Sequence, residues 1–132
     1  MEELKIVIEA ELNVAPSVAY NTWLDSEGHE NMTGGEASFT NLIDTDFTAW
    51  DGYIFGKILK LEPNVRIVQT WRTSEFEENT PDSIVEVTFK PSSNGTLFTL
   101  THTALDSKAS VEKYRVGWEE HYLQPMLKHF NA

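Results

Sequence analysis

The chain has 132 residues, a length that suits one domain with a single core, and its 40% hydrophobic and 23% charged content is ordinary globular material. Its formal charge of -11 argues against nucleic acid, whose phosphates reward clustered Lys and Arg, and against anionic membrane surfaces. No cysteine is present, so neither a disulfide framework nor a thiolate metal site is open to it.

The N-terminus shows no apolar signal-peptide core, and no stretch is long enough to span a bilayer, so a cytoplasmic protein is expected. Leu4, Ile6, Ile8, Ala10 and Leu12 alternate with Glu3, Lys5, Glu9 and Glu11, which reads as a strand with one buried face. Pro16 is placed to open a short helix with Val18, Ala19, Trp23 and Leu24 on its apolar side. A second short helix is expected from Ser26, weakened by Gly28 and broken at Gly34-Gly35.

Strands follow. Ala37 and Phe39 mark one and Asp46 to Trp50 another, with Asp51-Gly52 as a hairpin signal. The strands Tyr53 to Leu61 and Val65 to Arg72, joined by Glu62-Pro63-Asn64, carry apolar residues on both faces and read as central strands covered on two sides. Thr73 to Asp82 is polar, acidic and ends near Pro81, so it reads as an exposed hairpin loop. Val85, Val87 and Phe89 alternate in the next strand, Pro91 to Gly95 forms a turn, and Thr96 to Thr103 is the last strand.

The region Ser107 to Phe130 is a long amphipathic helix. At 100° per residue, Val111, Tyr114, Trp118, Tyr122, Pro125 and Met126 share a side, widened by Val116, Leu123, Leu127 and Phe130. Pro125 would clash with the carbonyl of His121, so a kink is expected in the last turn. So wide a stripe needs a broad partner, and a curved antiparallel sheet supplies one. Gly56 or Gly117 is expected to permit close packing between helix and sheet.

The stretch Trp50-Asp51-Gly52-Tyr53-Ile54-Phe55-Gly56-Lys57-Ile58-Leu59-Lys60-Leu61-Glu62-Pro63, the run Thr70-Trp71-Arg72 and the stretch Gly117-Trp118-Glu119-Glu120-His121-Tyr122-Leu123-Gln124-Pro125-Met126-Leu127 carry a resemblance. They resemble the activator-of-Hsp90-ATPase homologue-like family, within the START and Bet v-like (SRPBCC) superfamily. That resemblance covers nearly the whole chain, residues 1–132, as one domain. It implies an α+β helix-grip fold: about seven antiparallel strands around the C-terminal helix, often with a hydrophobic cavity between them. The activator that names the family has a separate N-terminal domain that does much of the stimulation. This chain resembles the C-terminal type of domain, so it is not expected to stimulate a chaperone ATPase strongly by itself.

Individual residues leave the activity open. His102 lies on the apolar face of the last strand, as a satisfied core histidine or an acid–base group. His29, His121 and His129 are scattered, which gives no metal-ligand spacing, and no cofactor is indicated. No serine sits in a strained Gly-x-Ser-x-Gly elbow. Arg115 and Glu119, four apart at the stripe, form either a surface ion pair or a polar pair inside a cavity. Trp50, Tyr53, Phe55, Trp71, Trp118 and Tyr122 cluster at the two motif stretches. They are either core or, with Arg115, Glu119 and His102, the lining of a small-molecule pocket. The leading expectation is a non-enzymatic domain binding a small hydrophobic or aromatic ligand in a stress-related setting. A co-chaperone module that uses its surface and a cavity-based cyclase or hydrolase are the alternatives.

Overall fold

The computed structural model describes residues 4–131; Met1, Ala132 and Glu3 of the predicted first strand lie outside the described residues. Strand β1 (Ile6–Leu12) is followed by helices α1 (Pro16–Leu24) and α2 (Ser26–Thr33). Strands β2 (Asp46–Ala49), β3 (Ile54–Glu62), β4 (Arg66–Thr73), β5 (Ser83–Ser92) and β6 (Gly95–Thr103) come next. The chain then forms α3 (Lys108–Trp118), a π-helical turn (Glu119–Leu123) and α4 (Gln124–Asn131). The strands make one open antiparallel sheet in the order β1-β6-β5-β4-β3-β2.

Local chemistry explains the element ends. Pro16 occupies the first turn of α1, where its missing N–H costs no helical bond. Asp25 caps α2 by accepting from the Gly28 N–H at 2.8 Å, and Gly34 closes it at φ 95°. Ser107 caps α3 by accepting from the Ser110 N–H at 3.1 Å.

The sheet has six strands where seven were expected. Ala37 and Phe39, expected to mark a strand, are buried, but only Ser38 pairs across, exchanging backbone bonds of 2.9 and 3.0 Å with Thr48. Side chains of α2 take the bonds a ladder would have used. Ser26 Oγ accepts from the Phe39 N–H at 2.8 Å and donates to the Phe39 carbonyl, while Glu30 Oε1 accepts from the Ala37 N–H. The segment is therefore held to β2 by a single bridge and to α2 by side chains, and does not extend into a strand.

Alternate residues are buried along β4, β5 and β6, so one face of the sheet carries the core. The two-sided cover expected for β3 and β4 is absent: Val68 is half-buried and Phe55 is exposed on the outer side. Trp23, Phe47, Ile58, Ile67, Val85, Phe98 and Leu100 are almost fully buried against the helices.

The C-terminal helix departs from the expected form before Pro125, not at it. Trp118, Tyr122, Met126 and Phe130 are all buried, at intervals of four residues. In a plain α-helix each such step drifts about 40°, so the four would spread over about 120°. The π turn, closed by the Gln124 N–H on the Glu119 carbonyl, inserts one extra residue and takes back about 100° of that drift. It also starts a fresh helical segment at Gln124, placing Pro125 in the first turn of α4.

Gly56 is needed where β3 crosses β4. A Cβ there would stand 2.3 Å from the Thr70 carbonyl oxygen and 2.9 Å from the Phe47 ring. The contact is strand against strand, not helix against sheet. Gly56→Ala is expected to destabilise the fold by roughly 1–3 kcal/mol, since backbone must move to admit the methyl group. Urea unfolding checks this, and an unchanged midpoint would contradict it.

Candidate functional site

Two buried histidines fix the C-terminal helix to the rest of the protein. His102, on β6, is completely buried. Trp118 Nε1–H donates to His102 Nδ1 at 3.0 Å, so that nitrogen is the acceptor and His102 Nε2 carries the proton. The Nε2–H group then faces Ser83 Oγ at 2.7 Å, and the Ser83 hydroxyl donates to the Trp71 carbonyl at 2.6 Å. Every proton in this chain has one consistent place. His102 is thus a satisfied core histidine.

His29, which showed no role in the sequence, does the same one turn further along. Its Nδ1–H donates to the Trp23 carbonyl at 2.8 Å, which leaves Nε2 to accept from the Tyr122 hydroxyl at 2.8 Å. Its ring stacks on Phe39 with centroids 4.2 Å apart. Burial lowers both imidazoles from the ordinary 6.5 to about 4, opposed at His29 by its backbone bond to Trp23. Burial also raises the Tyr122 phenol.

Beneath the helix the aromatic side chains pack against one another. Trp71 and Trp118 have centroids 4.9 Å apart, Trp118 and Tyr122 4.8 Å, and Trp23 and Tyr122 5.4 Å. Outside this stack lies a cleft of about 480 Å³ between α3, the π turn and the β2–β3 and β4 backbone. Trp71, Trp118, Tyr122 and Ile54 contribute its buried lining, with Tyr53, Thr73 and Tyr114 beside them. Lys113, Val116, Glu120 and His121 stand exposed along the helix, and Trp50 packs edge-on to His121 at 5.2 Å.

Of the residues proposed from sequence, the structure brings Trp50, Tyr53, Trp71, Trp118 and Tyr122 to this cleft. It does not bring the other four. Phe55 points to the outer side of β3, and His102 lies beneath Trp118 in the core. Arg115 is 3.8 Å from Glu112, and Glu119 is exposed, so they form no polar pair inside a cavity. Val116, expected to widen the buried stripe, is 48% exposed at the cleft rim. Gly117 also lines the cleft, and a Cβ there would meet nothing within 4 Å, so it serves no close packing.

Sequence reasoning missed a bridge at one end of the cleft. Glu75, from the Thr73–Asp82 loop, accepts a hydrogen bond from the Tyr53 hydroxyl and lies 2.7 Å from Lys113 Nζ. The Lys113 bond, then the Tyr53 bond, lowers the Glu75 carboxyl, and Glu75 in turn raises Lys113. Two residues sixty apart meet through a third in a loop, a contact that no local spacing encodes. Among the described residues no group of three or more His, Asp or Glu residues could hold a metal ion, and no helix is long and apolar enough to cross a membrane.

A curved antiparallel sheet gripping one long C-terminal helix, with two short helices after the first strand, defines a helix-grip domain. Residues 13–130 match the model of the activator of Hsp90 ATPase homolog 1-like proteins, and the chain belongs to that family. Solved structures agree in fold. An HSP90 activator from Plasmodium falciparum is similar at a TM-score of 0.84 and 23% identity over 96% of both chains. CalU16 from Micromonospora echinospora is similar at 0.77 and 25%, over 96% of this chain and 74% of its own. The Aha1 dimer from Colwellia psychrerythraea is similar at 0.79 and 14%, over 97% and 94%. No curated protein sequence matches.

The two histidines set an acid limit on stability. Between pH 6.5 and about 4 the unfolded chain takes up protons that native His29 and His102 refuse. Stability is therefore complete above pH 6.5 and falls as the pH drops through that window, by roughly 3 kcal/mol per histidine at its lower end. His102→Gln keeps an acceptor for Trp118 and a donor for Ser83 without titrating, so its stability should fall less steeply. Urea unfolding across this pH range checks it, and an unchanged slope would remove His102 from the account.

Proposed function

We propose that this domain binds a small, flat, apolar or aromatic molecule in the cleft, against the floor made by Trp71 and Trp118. The observation that carries this is the cleft itself. Its volume of about 480 Å³ falls in the range of small-molecule sites, and aromatic side chains with a few polar groups line it. A second depression, near Asn21, Asp25, Phe39 and Asn41, is mostly polar and has no comparable floor. The site is a cleft at the mouth of the grip and not a chamber inside it. With both histidines committed to hydrogen bonds in the core, the reading is binding without catalysis, in a cytoplasmic, stress-related setting.

Gly117 provides the test. Gly117→Leu places a side chain at the open lining position, where a Cβ meets nothing within 4 Å, and removes a helix-interior glycine. Thermal stability should be unchanged or rise by up to about 1 kcal/mol. Saturable quenching of tryptophan fluorescence by neutral arenes such as 2-naphthamide should weaken by roughly tenfold or more. Wild type showing neither quenching nor a ligand-dependent rise in Tm would remove the cleft reading.

Membership of the family and likeness to an HSP90 activator support a second reading, in which the surface engages an Hsp90-type chaperone. Leu42 and Ile43, exposed at 60% and 51% on the loop before β2, are the apolar surface such a contact would use. On this reading the chain binds the chaperone with little ATPase stimulation, and Leu42→Ser with Ile43→Ser weakens that binding. Calorimetric titration measures it; full stimulation by the chain alone would contradict the limited role.

A further inference from the structure

We propose that the cleft selects aromatic carboxylates, and that Glu75 is an internal occupant of their anion subsite. This rests on the cleft as a binding site and goes beyond it to the class of ligand. Tyr53 and Lys113 both line the cleft, one from the β2–β3 turn and the other from α3. Between them sits a carboxylate: Glu75 accepts from the Tyr53 hydroxyl and pairs with Lys113 Nζ at 2.7 Å. The protein thereby displays, with its own side chain, that the pair holds a carboxyl group. Glu75 itself is not part of the lining. It reaches the pair from a loop that Arg72 and Phe76 hold in place, and all three side chains are exposed, so the Glu75 side chain can turn away to water while the loop backbone stays.

The rest of the cleft supplies the other half of such a ligand. The indoles of Trp71 and Trp118 form its floor, suited to a ring. Lys113 is the one lysine or arginine in the lining among the described residues. A ligand anion entering with its ring on that floor would meet Lys113 and Tyr53 already turned toward each other. It would displace the Glu75 carboxylate by exchange, one carboxylate for another on the same donors, and the ligand's affinity would be reduced by the exposed ion pair that Glu75 gives up. Neutral arenes would use the floor alone and leave the bridge in place.

Titrations of 2-naphthoate and 2-naphthamide into wild type, Glu75→Ala and Glu75→Ala with Lys113→Met test this, read by tryptophan fluorescence and Tm. Glu75→Ala should tighten 2-naphthoate by about fivefold, the scale of one exposed ion pair, and leave 2-naphthamide unchanged. Adding Lys113→Met should abolish that gain. If 2-naphthamide binds but Glu75→Ala changes neither ligand, or both equally, the anion subsite is overturned while the cleft stands. If neither compound binds any of the three proteins, the cleft reading fails and the subsite with it.

Discussion

The hydrogen bond from the Trp118 indole to His102 is the constraint on which the helix position depends. It is directional at both ends, because Trp118 can only donate and His102 Nδ1 can then only accept. That choice orders Ser83 and the Trp71 carbonyl behind it, so α3 is tied through one imidazole to β4, β5 and β6. Such a bond adds only about 1 kcal/mol net, but leaving its buried partners unpaired costs more, about 1–3 kcal/mol each. Its effect is on specificity. A helix sliding or turning on an apolar sheet would lose little hydrophobic area, yet it would strand an indole N–H and an imidazole nitrogen in the core.

Tyr122 and His29 repeat the arrangement one turn later, from a different element. Two tethers four residues apart, followed by buried Met126 and Phe130, demand a face that stays in line for twelve residues. An unbroken α-helix does not offer one. The π turn between Trp118 and Gln124 is thus the geometric consequence of the tethers, and Pro125 is tolerated because the turn has already ended the hydrogen-bond run it would interrupt.

What the sequence disclosed follows from the range of each interaction. Alternation in Val85, Val87 and Phe89, the proline at the start of α1 and the stripe from Val111 to Phe130 are local patterns, and the structure keeps them apart from exposed Val116. The seventh strand failed because Ser26 and Glu30 bind the backbone of Phe39 and Ala37, a choice made across thirteen and seven residues. The aromatic motifs pointed to the right place, since Trp50, Tyr53, Trp71, Trp118 and Tyr122 do converge. They could not say how much room is left there. Phe55 has the same composition signal as Tyr53, but it lies inside β3 on the face opposite buried Ile54, whereas Tyr53 sits in the turn before the strand. Arg115 and Glu119 share a helical spacing, but Glu112 lies nearer to the guanidinium and competes for it.

Packing then decides where any ligand can sit. Trp23, Trp71, Trp118 and Tyr122 occupy the volume that a helix-grip fold leaves between sheet and helix, and their rings are already in contact. Removing one would cost several kcal/mol, so an internal chamber is not available without unfolding part of the core. The vacancy moves outward to the mouth, where α3 leaves the sheet and Gly117 omits a side chain. There the field matters as well as the shape. With 21 acidic and 10 basic residues, the protein repels anions at a distance, which slows their arrival. At the mouth the balance is set by nearer charges. Lys113 and Glu120 both line the cleft, so displacing the one Glu75 carboxylate takes the sum of these three charges from −1 to zero and leaves the Lys113 ammonium open to another anion.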